Sequence, residues 1–225
     1  MHEHHLQVAR TARYFATDAR IERATELWIV CHGYAQLAGR FLRHFESIAD
    51  DHRLIIAPEA LSRFYVDSPG GYHGAEARIG ATWMTREDRL AEIGDHVSYL
   101  DLLLQELERQ RGAPLPPVTA LGFSQGVATV GRWLSLGVSR AERVIAWGSS
   151  LPADVTPDAR GQLLHGAQLT LVIGERDQFV TPERVTAELA RLNAMGATYE
   201  VVRFPGTHEM NAGVLRQLAG PVAER

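Results

Sequence analysis

Short apolar runs recur along the chain at residues 27–31, 54–57, 118–123, 144–147 and 169–173, and each reads as a strand buried on both faces. Residues 199–204 alternate more openly, as does the N-terminal stretch 6–17. Between these runs the apolar positions change to helical spacing. Residues 37–48 carry them at 37, 41, 42, 45 and 48, and residues 90–107 at 90, 93, 97, 100, 103, 104 and 107. Further helices are expected at 125–136, at 182–195 with Thr181 as cap and Pro182 in the first position, and at 210–218.

Strands that alternate with helices of this length need crossover connections. The pattern therefore predicts an α/β chain with a mostly parallel central sheet and helices on both faces, in one domain spanning residues 1–225. Ligands of such sheets bind beyond the carboxyl ends of the strands. Two stretches interrupt the rhythm. Residues 151–166 form a Pro/Gly-punctuated link, and the longer stretch 58–85 carries Gly70, Gly71, Gly74 and Gly80 among several aromatics. Because the longer one follows the strand at 54–57, it leaves the sheet at the ligand-binding edge. It is expected to line a substrate pocket, with Phe64, Tyr65, Trp83 and Met84 as wall residues. Trp83 has a second reading, as an anchor that holds the start of the helix near Leu90 in the core.

Composition then narrows the partners. With 225 residues, 45% hydrophobic and 22% charged, the chain is an ordinary globular protein. A net charge of -4 without a clustered basic face argues against nucleic acid. No polybasic stretch or long apolar run suggests stable membrane insertion. A small molecule is the expected partner, and the choice between monomer and homodimer stays open. The single cysteine, Cys31, rules out an internal disulfide framework and suits a reducing compartment. No signal-peptide core opens the chain, so a cytoplasmic location is expected. The opening His2-Glu3-His4-His5 has no Cys or second His pair nearby to complete a metal site. It reads as a solvated terminus, and no metal is expected.

The chemistry centres on Gly122-Phe123-Ser124-Gln125-Gly126, a G-x-S-x-G sequence set after one strand and before one helix. A sharp turn there lifts a serine hydroxyl above the sheet and tolerates only small flanking residues. That hydroxyl is a weak nucleophile unless a base removes its proton, and the base needs a third group to fix its tautomer. Downstream of Ser124 there are two histidines. His208 follows the strand at 199–204 and so reaches the ligand-binding edge, whereas His165 precedes the strand at 169–173 and belongs at the opposite edge. Asp177, in Gly174-Glu175-Arg176-Asp177 after the strand ending at Ile173, is the matching acid; Asp154 and Asp158 fall in the irregular link and read as a turn and a helix cap. Two amides are expected to stabilise the developing oxyanion, those of Gln125 and of Tyr34 in His32-Gly33-Tyr34. His32 itself is expected to brace that loop.

These residues resemble the phospholipase/carboxylesterase family of α/β-hydrolases, which includes carboxylesterases, lysophospholipases and acyl-protein thioesterases. The resemblance rests on His32-Gly33 after a strand, on Gly122–Gly126, on Gly-Glu-Arg-Asp-x-x-Val ending at Val180, and on His208-Glu209; it spans residues 27–218. It implies an α/β-hydrolase fold without a large cap domain, no cofactor, and a serine esterase acting on small acyl esters through Ser124, Asp177 and His208. Two departures lie near the acyl site. The family's Leu-Gly-Asp after His-Gly is Tyr34-Ala35-Gln36 here, and Val127 stands where a glycine is common. Acyl thioesters and lysophospholipids are alternative substrates for the same machinery, and a non-catalytic binder on the same fold is the rival of another class.

Overall fold

The computed structural model describes residues 1–67 and 74–220, so Gly70 and Gly71 lie outside the described residues. Nine strands are present in them: β1 (Tyr14–Ala16), β2 (Glu26–Cys31), β3 (Arg53–Pro58), β4 (Ser62–Tyr65), β5 (Ile79–Thr82), β6 (Val118–Phe123), β7 (Arg143–Trp147), β8 (Gln168–Gly174) and β9 (Tyr199–Phe204). The helices are α1 (Ala38–Leu42), α2 (Arg89–Arg111), α3 (Gln125–Leu136), α4 (Pro182–Ala194) and α5 (Ala212–Ala219). One seven-stranded sheet runs in the order β1-β3-β2-β6-β7-β8-β9, and only the β1 edge is antiparallel.

Alternation along β2 divides the core. Leu27, Ile29 and Cys31 pack on one face with α2 and α3, while Trp28 and Val30 pack on the other with Phe41, Phe45 and Leu215. Because both faces are covered, the strand reads as a continuous apolar run. The chain reverses direction across the sheet between β2, whose sequence successor β3 lies on one side, and β6 on the other. Cys31 pairs with Gly122 at this switch point, so the loops after both strands open into one crevice.

Local signals place most elements where the pattern predicts. Thr181 Oγ1 accepts from the Arg184 amide and Pro182 opens α4; Asn211 Oδ1 accepts from the Val214 amide at the start of α5. Three differences have physical causes. The expected helix at 37–48 is a short α-helix continued as a 3₁₀ segment, Arg43–Ile48, whose three-residue turn stacks Phe45 and Ile48 on one buried face. Strand β1 escapes pattern reading because its residues are exposed and it is only three long. Most importantly, the described residues of the stretch 58–85 are not all irregular. They contain the antiparallel β4–β5 hairpin, in which Phe64 pairs with Gly80.

One buried group makes stability depend on pH. His96 on α2 is enclosed against Trp83, with ring centroids 6.3 Å apart, and neither ring nitrogen makes a well-aligned hydrogen bond. Burial lowers its pKa from 6.5 to about 4; Arg132 acts in the same direction, and the Trp83 and Glu92 backbone offsets part of this. Between those values the unfolded chain binds a proton that the folded chain refuses. The contribution is therefore complete above pH 6.5 and is lost as pH falls toward about 4, a change on the order of 3 kcal/mol. Urea unfolding at neutral pH and near the lower limit is expected to show a smaller acid loss for His96→Leu than for wild type. Equal losses would contradict this assignment.

Candidate active site

Ser124 sits at φ 54° and ψ -116°, a strained conformation between β6 and α3, and its amide donates to the Trp147 carbonyl at 2.8 Å. The two glycines of the motif are sterically required. A Cβ at Gly122 would overlap the backbone of Gly126, and one at Gly126 would overlap the carbonyl oxygen of Cys31. The turn can therefore pack flush between β2 and β6 only with glycine at both places. The Ser124 hydroxyl makes no helix-capping hydrogen bond and faces a cavity of about 780 Å³.

His208 opens onto the same cavity. Its Nδ1 lies 2.7 Å from Asp177 Oδ2, and the Asp177 side chain is almost fully buried. A carboxylate can only accept here, so Nδ1 carries the proton and Nε2 is left with its lone pair. The other Asp177 oxygen accepts from the amides of Phe179 (2.8 Å) and Val180 (3.3 Å), which ties the acid to its own loop. The His208 ring is held between Phe123 and Phe179, at centroid distances of 4.9 and 4.8 Å. Ser124 and His208 are not hydrogen-bonded to each other in this geometry; such contacts commonly tighten when substrate arrives.

The loop after β2 is braced from several sides. His32 is fully buried: its Nε2 accepts from the Ala60 amide at 3.1 Å, so Nδ1 donates to the Gly33 carbonyl at 2.8 Å. Burial lowers its pKa, with the Gly33 carbonyl and Glu59 opposing, which favours this neutral tautomer. Gln36 Oε1 accepts from the Gly33 amide, and the β4–β5 hairpin pairs with the loop through Ala35 to Ala81 and Ala81 to Gln36 backbone bonds. The amides of Tyr34 and Gln125 donate to no other group among the described residues. The Gln125 side chain is fully engaged. Its Nε2 donates to Thr82 Oγ1 and to the Met84 carbonyl, and its Oε1 accepts from the Trp83 amide, which joins the Ser124 turn to the end of β5 and the segment after it.

The pocket expectation needs correction, because Phe64, Tyr65, Trp83 and Met84 do not line this cavity. Trp83 is in the core, tilted against His32 at a centroid distance of 5.2 Å, with its indole N–H donated to the His32 carbonyl at 2.9 Å. Phe64 backs the Tyr34 ring at 5.2 Å, Met84 packs beside Arg132, and Tyr65 lies exposed on the hairpin. The hairpin thus supports the loop after β2 without forming the wall. Trp83→Ala is expected to lower stability by about 3–5 kcal/mol, measured by urea unfolding, and to leave acyl-chain preference unchanged. A shifted preference would return Trp83 to the pocket.

The wall is built instead by Ser149 and Ser150 after β7, by Phe179 and Val180, and by Arg184, Ala187, Glu188 and Arg191 on α4. The sequence holds the signal for them. Positions 184, 187, 188 and 191 share one helical face, and residues 149–150 leave a strand at its carboxyl end. Asp154 pairs with Arg132 and Arg89 and so is an ion-pair residue, not simply a turn; Asp158 accepts from the Arg160 and Gln162 amides and from His165. Neither aspartate reaches the cavity. At the N-terminus, His5 Nε2 lies 3.1 Å from Asp88 Oδ2 and 3.3 Å from Glu3 Oε1, an exposed grouping with ligand atoms close enough to share an ion. Asp88 is the neighbour that spacing in sequence could not supply.

No protein-family profile and no curated protein sequence matches the chain. Solved structures do. A carboxylesterase from Mesorhizobium loti superposes with a TM-score of 0.65 at 20% identity, covering 88% of this chain and 90% of that one. The Zea mays acyl-protein thioesterase 2 gives 0.66 at 16% identity, covering 93% and 96%. A phospholipase/carboxylesterase from Dyadobacter fermentans gives 0.61 at 18%, covering 94% and 96%. The chain has the α/β-hydrolase fold: a mostly parallel sheet flanked by helices on both faces, with no large cap domain among the described residues. No helix among them is long and apolar enough to cross a membrane.

Proposed function

We propose that this chain is a serine carboxylesterase of the phospholipase/carboxylesterase type, hydrolysing short to medium acyl esters without a cofactor. The observation that carries the reading is the 2.7 Å His208–Asp177 hydrogen bond, which leaves Nε2 lone-paired at the cavity where the strained Ser124 turn also opens. Ser124 Oγ attacks the ester carbonyl while His208 Nε2 takes its proton, and the tetrahedral oxyanion accepts from the Tyr34 and Gln125 amides. Collapse expels the alcohol, which receives the proton from His208. Water then enters, gives a proton to the same nitrogen and attacks the acyl-enzyme; collapse of the second tetrahedral intermediate breaks the bond to Ser124 Oγ, which takes the proton back from His208 as the acid leaves. Asp177 keeps its charge throughout and steadies the imidazolium.

Neither the Ser124 hydroxyl nor His208 Nε2 has a hydrogen-bond partner among the described residues, which disfavours a binding protein on the same fold. Hydrolysis of p-nitrophenyl butyrate above the spontaneous rate, undiminished by EDTA, is the expected result. Loss of activity in EDTA with recovery on adding zinc would overturn the reading. Parallel rates on S-butyryl thiocholine and a lysophospholipid separate ester from thioester and lipid preference, since the acyl-enzyme machinery serves all of these leaving groups.

A further inference from the structure

Charge on the cavity wall is unbalanced. Arg191 and Glu188 neutralise each other through paired contacts of 2.9 and 3.0 Å, and Arg191 also donates to the Leu151 carbonyl. Arg184, one turn earlier on α4 than Glu188, lines the same cavity and has no ion-pair partner among the described residues. Its Nη1 donates to the Phe179 carbonyl at 2.9 Å, which leaves the Nε and Nη2 protons unengaged. This contact ties the guanidinium to the loop that carries Asp177, whose Phe179 ring packs edge-on against His208. The same cavity sets apolar surface from Phe123, Phe179 and Val180 beside the polar side chains of Gln36, Ser149 and Ser150.

We infer that Arg184 is a specificity-determining residue which selects esters bearing a carboxylate a few atoms from the scissile carbonyl. This deepens the proposed esterase reading and rests on it. A planar guanidinium whose Nε–Nη2 edge is free matches a carboxylate bidentately, and it acts on substrate binding more than on the chemical step. The carboxylate can belong to the acyl half, as in a dicarboxylic monoester, or to the leaving alcohol. Two matched pairs distinguish these sources: mono-p-nitrophenyl adipate against p-nitrophenyl hexanoate, and 4-acetoxybenzoate against phenyl acetate.

For the pair whose charge sits on the correct half, wild type is expected to give the higher kcat/KM with the charged ester. Arg184→Gln is expected to lower the charged-to-neutral ratio by about tenfold, mostly through KM, while Arg184→Lys restores part of it and added salt weakens the wild-type preference. An unchanged ratio in both pairs, with neutral esters still turned over, overturns the role of Arg184 and leaves the esterase reading standing. That role is equally overturned if Arg184→Gln lowers thermal stability and the two rates together, since a brace on the Phe179 loop would do that. Turnover of none of the four esters overturns the esterase reading, and this inference with it.

Discussion

Replacing Ser124 with alanine is expected to lower kcat for p-nitrophenyl butyrate by about 10⁴-fold or more, with the protein still folded and KM little changed. In the proposed mechanism the hydroxyl supplies the covalent route, and what survives its removal is stabilisation by the Tyr34 and Gln125 amides. Folding should not suffer, since the side chain caps no helix and borders open cavity. His208→Ala is expected to fall comparably. Asp177→Asn is expected to lose about 10³- to 10⁴-fold, because an amide can present N–H where the imidazole Nδ1 needs an acceptor and so favours the wrong tautomer. Steady-state kinetics on the three variants, with circular dichroism as the folding control, make the check. Damage from Asp154→Asn in place of Asp177→Asn would reassign the acid.

The second large effect is on stability. Gly126→Ala is expected to destabilise the fold by on the order of 3 kcal/mol or more, because the added carbon meets the Cys31 carbonyl, a backbone atom of a central strand that cannot step aside. Urea denaturation of Gly126→Ala beside Val127→Ala separates this collision from ordinary loss of packing. Val127 is buried in the same helix, so its truncation is expected to remove contacts without a clash. A glycine variant as stable as wild type would show that the turn has room the structure denies it.

How much of this was legible from residues alone follows from the range of the interactions. The parallel strands were legible because burial on both faces writes a continuous apolar run, as in Trp28-Ile29-Val30. Strand β1 was not, since an exposed edge strand of three residues imposes no pattern. The meeting of Ser124, Asp177 and His208 at one edge follows from topology: each comes directly after the carboxyl end of a parallel strand. The pocket wall was misplaced for the complementary reason. Aromatic content marks residues 58–85 as apolar, but only the tertiary pairing of β4 with β5, and of Ala81 with the loop after β2, decides that this segment serves as a buttress. Arg184 was hidden because its meaning depends on what it lacks. A helical arginine reads as solvated surface until its neighbours are known to hold no carboxylate for it.

The central claim is that Ser124 is an activated nucleophile, and covalent trapping tests it most directly. Incubation with a fluorophosphonate should add one phosphonyl group per chain, with fluoride leaving and the Ser124 proton passing to His208. Intact mass and peptide sequencing are predicted to place that adduct on Ser124, to find none on Ser124→Ala, and to find labelling slowed in His208→Ala. An unmodified wild-type chain, or an adduct on another residue that persists in Ser124→Ala, would contradict the account.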